Sequence, residues 1–144
     1  MIRQASNEDA QTAAQLARLL WPHHALTEFI EEMTLHTSTE NSAIFLAYQG
    51  LEAVGFAQCQ LRTDYVEGTD SSPVGYLEGL FVKEAYRRYG FAKQLVAKCE
   101  QWAKLKGCIE FASDCELQNL ESLAVHQKLG FTEANRIICF TKSL

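Results

Sequence analysis

Apolar positions at the start of the chain recur at helical spacing, then give way to short runs of the kind that form strands. Residues 2–5 read as a brief first strand. Ser6-x-x-Asp9 can form a capping box, opening a helix through Ala13, Leu16, Ala17 and Leu20. Trp21-Pro22 ends that helix, and Thr27 can cap a second one carrying Phe29, Ile30 and Met33. Residues 43–48 and 53–62 form a hairpin about Gln49-Gly50. The polar stretch 63–73 is a loop long enough to suggest a function. Residues 76–82 are apolar, aromatic and β-branched, as a buried strand requires. Helical spacing returns in Ala92, Leu95, Val96, Cys99 and Trp102, and Gly107 stops this helix. A strand at 109–113, a helix from Asn119 to the stop at Gly130, and two closing strands at 131–136 and 137–142 complete the pattern. The predicted order is β-α-α-β-β-β-α-β-α-β-β. It is an α/β chain with a mixed sheet and helices on both faces.

At 144 residues the chain is the size of one ordinary domain, and we read 1–144 as a single one. No apolar run approaches the ~20 residues that span a bilayer, which argues against membrane association. Five cysteines without a Cys-x-x-Cys pair fit neither a disulfide framework nor a zinc site. Cys59 and Cys99 fall on apolar patterns, so buried free thiols in a reducing cytoplasm are expected. His23-His24 has no third ligand at metal-binding spacing, so no metal is expected. A net charge of −5 disfavours nucleic acid and suits a cationic substrate.

Between the strand 76–82 and the next helix stands Arg87-Arg88-Tyr89-Gly90-Phe91-Ala92. A helix N-terminus offers unpaired N–H groups and partial positive charge, and Gly90 leaves room for close approach. Such a loop can hold phosphate, although a strand-to-helix turn with exposed arginines has the same composition. It lacks the Gly-Lys-Ser/Thr of a Walker loop and the three glycines of a dinucleotide fingerprint.

This Arg-x-x-Gly-x-Ala pattern resembles the acetyl-coenzyme A pyrophosphate loop of the GCN5-related N-acetyltransferases. The helix with Asn119 at its start and Gly130-Phe131 at its end resembles their other landmark. The tract 64–74 (Asp-Tyr-Val-Glu-Gly-Thr-Asp-Ser-Ser-Pro-Val), Trp21-Pro22-His23-His24, residues 77–82, residues 110–114 and His126-x-x-Leu-Gly-Phe131 are similar to the aminoglycoside 6′-N-acetyltransferases. The resemblance implies acetyl transfer from acetyl-coenzyme A to the 6′-amine of an aminoglycoside antibiotic, inactivating the drug. It also implies a homodimer that can exchange C-terminal strands. Another small cationic amine, such as a polyamine, is the alternative substrate. A non-catalytic sensor of acyl-coenzyme A is the alternative of a different class.

Under this resemblance the pyrophosphate is expected on Arg87, Arg88, Tyr89, Gly90, Phe91 and Ala92, with Asn119 also on the cofactor. The pantetheine arm would pair with the backbone of Leu80, Phe81 and Val82, and Gly79 fits a bulge or close ligand approach. Trp21, His24 and Tyr65 would wall the acceptor pocket; without the resemblance, Trp21 reads as core and His24 as surface. Glu78 is a carboxylate in an apolar strand, costly unless paired or functional. Asp114 ends the next strand on the ligand-binding side. The two could grip a substrate ammonium, with Glu78 the favoured proton acceptor. A salt-bridged Glu78 and a helix-capping Asp114 are the structural alternatives. His126 stands where many relatives place a tyrosine general acid, and imidazole can carry a proton near neutrality. A helix histidine fixed by its neighbours is the other reading.

Overall fold

The computed structural model describes residues 1–144. The elements are β1 (Ile2–Gln4), α1 (Ala10–Leu20), α2 (Leu26–Ser38), β2 (Ser42–Gln49), β3 (Glu52–Arg62), β4 (Val74–Val82), α3 (Phe91–Leu105), β5 (Phe111–Ala112) and α4 (Leu120–Lys128). Strand order follows chain order. The pairings are antiparallel from β1 to β4, and β4 pairs β5 in parallel.

β2 reads as an unbroken apolar run because both of its faces are covered. Ala43, Phe45 and Ala47 face Leu95, Val96, Cys99 and Trp102 of α3. Ile44 and Leu46 join Phe56 beneath Phe29 and Met33 of α2. Ala13, Ala14 and Ala17 are small enough to let α1 lie close on that same face. Full burial of a side chain such as Leu95 contributes roughly 1.5–3 kcal/mol. Cys59, Cys99 and Cys108 are buried free thiols, while Cys115 and Cys139 are exposed. The hydrogen bond with Cys59, then burial, pushes the Cys99 thiol well up.

Two features shape the far edge of the sheet. Gln58 pairs Gly79 while Cys59 pairs Leu77, so Glu78 is the extra residue of a β-bulge. The ladder between β4 and β5 holds only Gly75 with Phe111 and Tyr76 with Ala112. Beyond that fork, Leu77 to Val82 have no strand on their outer side.

Several expected boundaries move. Residues 7–9 form a 3₁₀ turn before α1, and the Ser6 N–H donates to Asp9 Oδ2 at 2.8 Å as a capping box requires. Thr27 does not cap α2, whose first flanking residue is Ala25. The strand expected at 109–113 shortens to Phe111–Ala112. The larger correction concerns residues 131–142, expected as two strands, which form none. The last backbone–backbone hydrogen bond runs from Phe131 N–H to His126 O. Ile137, Ile138 and Phe140 are exposed. A strand-like sequence needs an edge to pair with, and this segment meets none within its own chain. No helix is long and apolar enough to cross a membrane.

Gly75 holds the fork closed at its base. A Cβ there would lie 2.6 Å from Ala103 Cβ and 2.7 Å from Phe111 Cδ1. Gly75→Ala is expected to cost about 1–3 kcal/mol as an overpacked core, read as a lowered urea midpoint. An unchanged midpoint would mean that α3 and β5 part freely.

Candidate active site

The open edge of β4 supplies one wall of the site. Lys83 N–H donates to Val54 O of β3 at 2.8 Å. Strand alternation then turns the amides of Leu80 and Val82 outward, while Phe81 pairs inward with Phe56. Of the three residues expected to meet a pantetheine arm, Leu80 and Val82 therefore present free backbone N–H groups. The Val82 carbonyl accepts from Arg87 Nε at 2.8 Å.

The loop from Arg87 to Gly90 carries two residues in the left-handed region, Arg88 with φ 70° and Gly90 with φ 85°. Such a conformation in a non-glycine costs of order 1–3 kcal/mol and clusters at ligand-binding turns. The first bond inside α3 runs from Gln94 N–H to Gly90 O at 3.1 Å. Tyr89, Gly90, Phe91, Ala92 and Lys93 accordingly have no backbone acceptor for their N–H groups. A Cβ on Gly90 would meet only Gln94 Nε2, at 3.7 Å, so space above the loop is open. The two arginines differ. Arg87 is a brace, bonded to Val82 and 3.7 Å from Glu121 of α4, whereas Arg88 makes no ion pair.

At the fork stand the two carboxylates, each already partnered. Glu78 Oε1 accepts from Arg62 Nε at 3.0 Å and Nη2 at 2.7 Å, so this carboxylate is salt-bridged. The Arg62 guanidinium lies over the Tyr76 ring at 3.5 Å, and the Tyr76 hydroxyl donates to Asp114 Oδ2. Burial first, then Asp114, pushes the Tyr76 phenol far above its ordinary value. Asp114 does not cap α4. That role belongs to Asn119, whose side chain accepts from Ser122 N–H at 3.0 Å, so the Asn119 side chain serves the helix end. Glu78 Oε2 and Asp114 Oδ1 take no protein hydrogen bond.

His126 is fixed through both nitrogens. Nδ1 lies 2.7 Å from Ser122 O and Nε2 lies 2.8 Å from Ser113 Oγ, which is 3.3 Å from Leu77 O. The Phe131 ring stands edge-on to the imidazole at 5.2 Å.

Trp21 sits beneath the site, between Phe29 and Phe56. Its ring occupies the space over Gly79, where a Cβ would fall 2.7 Å from Trp21 Cη2. That contact accounts for Gly79, and the bulge falls one residue earlier. His24 is exposed, 3.9 Å from Glu28, and Tyr65 is exposed on the 63–73 loop. Neither touches the carboxylate pair by a hydrogen bond. The loop itself is anchored by Glu110, whose Oε1 accepts from Asp70 N–H at 2.9 Å and from the Ser71 hydroxyl. Those bonds, Ser71 first, draw the Glu110 carboxyl below its usual range.

Sequence reasoning missed Arg62, Tyr76, Glu110 and Ser113. Strand parity offered a signal for Tyr76, two residues before Glu78 on β4. Nothing local marked Arg62, which reaches the site only through cross-strand pairing. Arg62→Leu should leave the half-buried Glu78 unpaired and cost roughly 1.5–3 kcal/mol, measured by urea unfolding. Arg62→Leu with Glu78→Leu should recover most of that loss, because a matched apolar pair leaves no orphan charge. A single variant as stable as the parent would show the pair to be screened by solvent.

Comparison with known proteins agrees with this geometry. The model of the acetyltransferase (GNAT) family matches residues 8–131. An aminoglycoside N(6′)-acetyltransferase type 1 of Salmonella enteritidis is 40% identical over 141 residues, covering 98% of this chain and 97% of the relative. One from Acinetobacter genomosp. 13 is 42% identical over 129 residues, covering 90% of this chain and 88% of the relative. The structure of AAC(6′)-Iy with the bisubstrate analogue CoA-S-monomethyl-acetylneamine superposes with a TM-score of 0.95 at 40% identity, covering 100% of this chain and 98% of that one. Apo AAC(6′)-Ig from Acinetobacter haemolyticus gives 0.94 at 36% identity, covering 100% and 99%. With an open β4 edge, a left-handed loop before α3 and matches of this extent, the chain belongs to the acetyltransferase (GNAT) family.

Proposed function

We propose that this protein transfers acetyl from acetyl-coenzyme A to the 6′-amine of aminoglycosides, the whole chain working as one domain in the cytoplasm. The observation that carries the reading is the open edge of β4 with two half-satisfied carboxylates at its fork. The free N–H groups around Gly90 donate to the pyrophosphate, and Arg88 adds charge. The pantetheine arm pairs with the outward amides of Leu80 and Val82, which also polarise the thioester carbonyl. The free oxygens of Glu78 and Asp114 hold the substrate ammonium by charge-assisted bonds. One of them takes its proton through water, which frees the lone pair for attack. The names of the relatives, aminoglycoside 6′-N-acetyltransferases at 40–42% identity, support this substrate class.

We read the protein as a homodimer in which residues 132–144 pair with a partner. The exposed Ile137, Ile138 and Phe140, together with the absence of backbone–backbone hydrogen bonds after Phe131, support that reading. Sedimentation equilibrium should return twice the 16.2 kDa chain mass. A single-chain mass at micromolar concentration would overturn it.

Thiol release from acetyl-coenzyme A tests the activity directly. Aminoglycosides with a free 6′-amine should be turned over, and those with a 6′-hydroxyl should not. Asp114→Asn should raise KM for the aminoglycoside and leave coenzyme A affinity unchanged. The loss of one charge-assisted bond corresponds to roughly 1.5–3 kcal/mol. Turnover of polyamines alone, or equal turnover of both drug types, would reject the reading.

A further inference from the structure

The hydrogen bonds around His126 leave it no direct route to a reacting atom. The Ser122 carbonyl can only accept, so Nδ1 carries a hydrogen and donates it at 2.7 Å. Nε2 is then the only nitrogen that exchanges a proton, and Ser113 Oγ stands against it at 2.8 Å. Ser113 directly follows β5, where the parallel ladder stops, and its hydroxyl also reaches Leu77 O at 3.3 Å. It therefore sits at the vertex of the fork, on the edge where the Proposed function lays the pantetheine arm.

We propose that Ser113 is the catalytic residue that protonates the departing coenzyme A thiolate, and that His126 is a positioning residue acting through it. The inference rests on the acetyl-transfer reading above. When the ring is neutral, the Ser113 hydroxyl donates to Nε2. When the ring is protonated, Nε2–H donates to Ser113 Oγ, and the serine hydrogen is released toward Leu77 O or a ligand atom beside it. As the tetrahedral intermediate collapses, the C–S bond breaks and its electron pair stays on sulfur. Sulfur takes the Ser113 proton, and Oγ takes the Nε2 proton. The ring is left neutral with Nδ1–H still on Ser122. Solvent restores the ring proton, balancing the one lost by the substrate amine.

The experiment measures acetyl-coenzyme A turnover with neamine for the wild type, S113A, S113T, H126A and S113A/H126A, with coenzyme A affinity by calorimetry. S113A should lower kcat about 10–10²-fold, at or below the low end of the roughly 10²–10⁴ typical of general-acid catalysis, because a thiolate leaves readily. KM for both substrates and the coenzyme A Kd should stay within threefold. S113T should restore most of the rate. The double variant should match S113A, since His126 works only through the serine. An S113A kcat within twofold of wild type, H126A and S113A losses that multiply, or a loss confined to KM and Kd would each overturn the proposal. Should S113A fail to fold, S113T against S113V makes the same comparison on matched shapes. No turnover of neamine by the wild type would reject the acetyl-transfer reading itself, before any variant is compared.

Discussion

Everything at the site depends on the parting of β4 from β5. A parallel pair normally continues while both chains stay extended, each rung adding backbone bonds. Here the ladder stops after Tyr76 and Ala112. The next position is bridged by the Ser113 hydroxyl to Leu77 O, so a side chain stands where an amide would extend the sheet. One residue later Glu78 bulges from the other ladder. Two local departures from regular pairing, on consecutive residues of β4, open an edge long enough for a flat ligand arm. Below the fork the same strands are held firmly, because Gly75 lets Phe111 and Ala103 close over it.

The fork also gathers charge, and magnitudes decide how. A carboxylate taken from water without a partner loses several kcal/mol, more than any single surface contact returns. Glu78 meets this with two bonds from Arg62, and Asp114 with the Tyr76 hydroxyl. Tyr76 joins the two systems, its ring under Arg62 and its hydroxyl on Asp114. Two carboxylates against one guanidinium leave the fork net negative. Glu78 Oε2 and Asp114 Oδ1 are oriented in advance by these bonds, so little reorganisation would oppose capture of a cation there.

Much of this was legible in residue order. Helix α3 was visible in Leu95, Val96, Cys99 and Trp102, because one face of a helix covering a sheet leaves a 3.6-residue period. The loop at Gly90 was visible as arginines and a glycine between a strand and a helix, and it is left-handed as glycine allows. Arg88 shares that conformation without any compositional sign. Arg62 and Ser113 were invisible for a different reason: their partners lie 16 and 36 residues away in the chain, for Glu78 and Leu77 respectively. Periodicity reports burial, and it does not report which exposed or half-buried group crosses from one strand to the next. The closing strands were misread because apolar alternation specifies strand propensity without supplying an edge.

That closing segment is coupled to the 63–73 loop. Asn135 Nδ2 donates to Glu67 Oε1 at 2.6 Å, and Ala134 lies so near Gly68 that a Cβ there would fall 2.4 Å from its methyl. Gly68 itself has φ 83°, so no ordinary residue could take its place without strain. The 63–73 loop is thus pinned from two sides, by Glu110 at Asp70 and Ser71 and by the C-terminal segment at Glu67 and Gly68. The first pin comes from Glu110, the residue just before β5 at the fork. The second belongs to a segment with no backbone–backbone hydrogen bond beyond Phe131. Displacing residues 132–144 would therefore act on the loop through Ala134 and Asn135, so the C-terminal segment and the 63–73 loop share one mechanical connection.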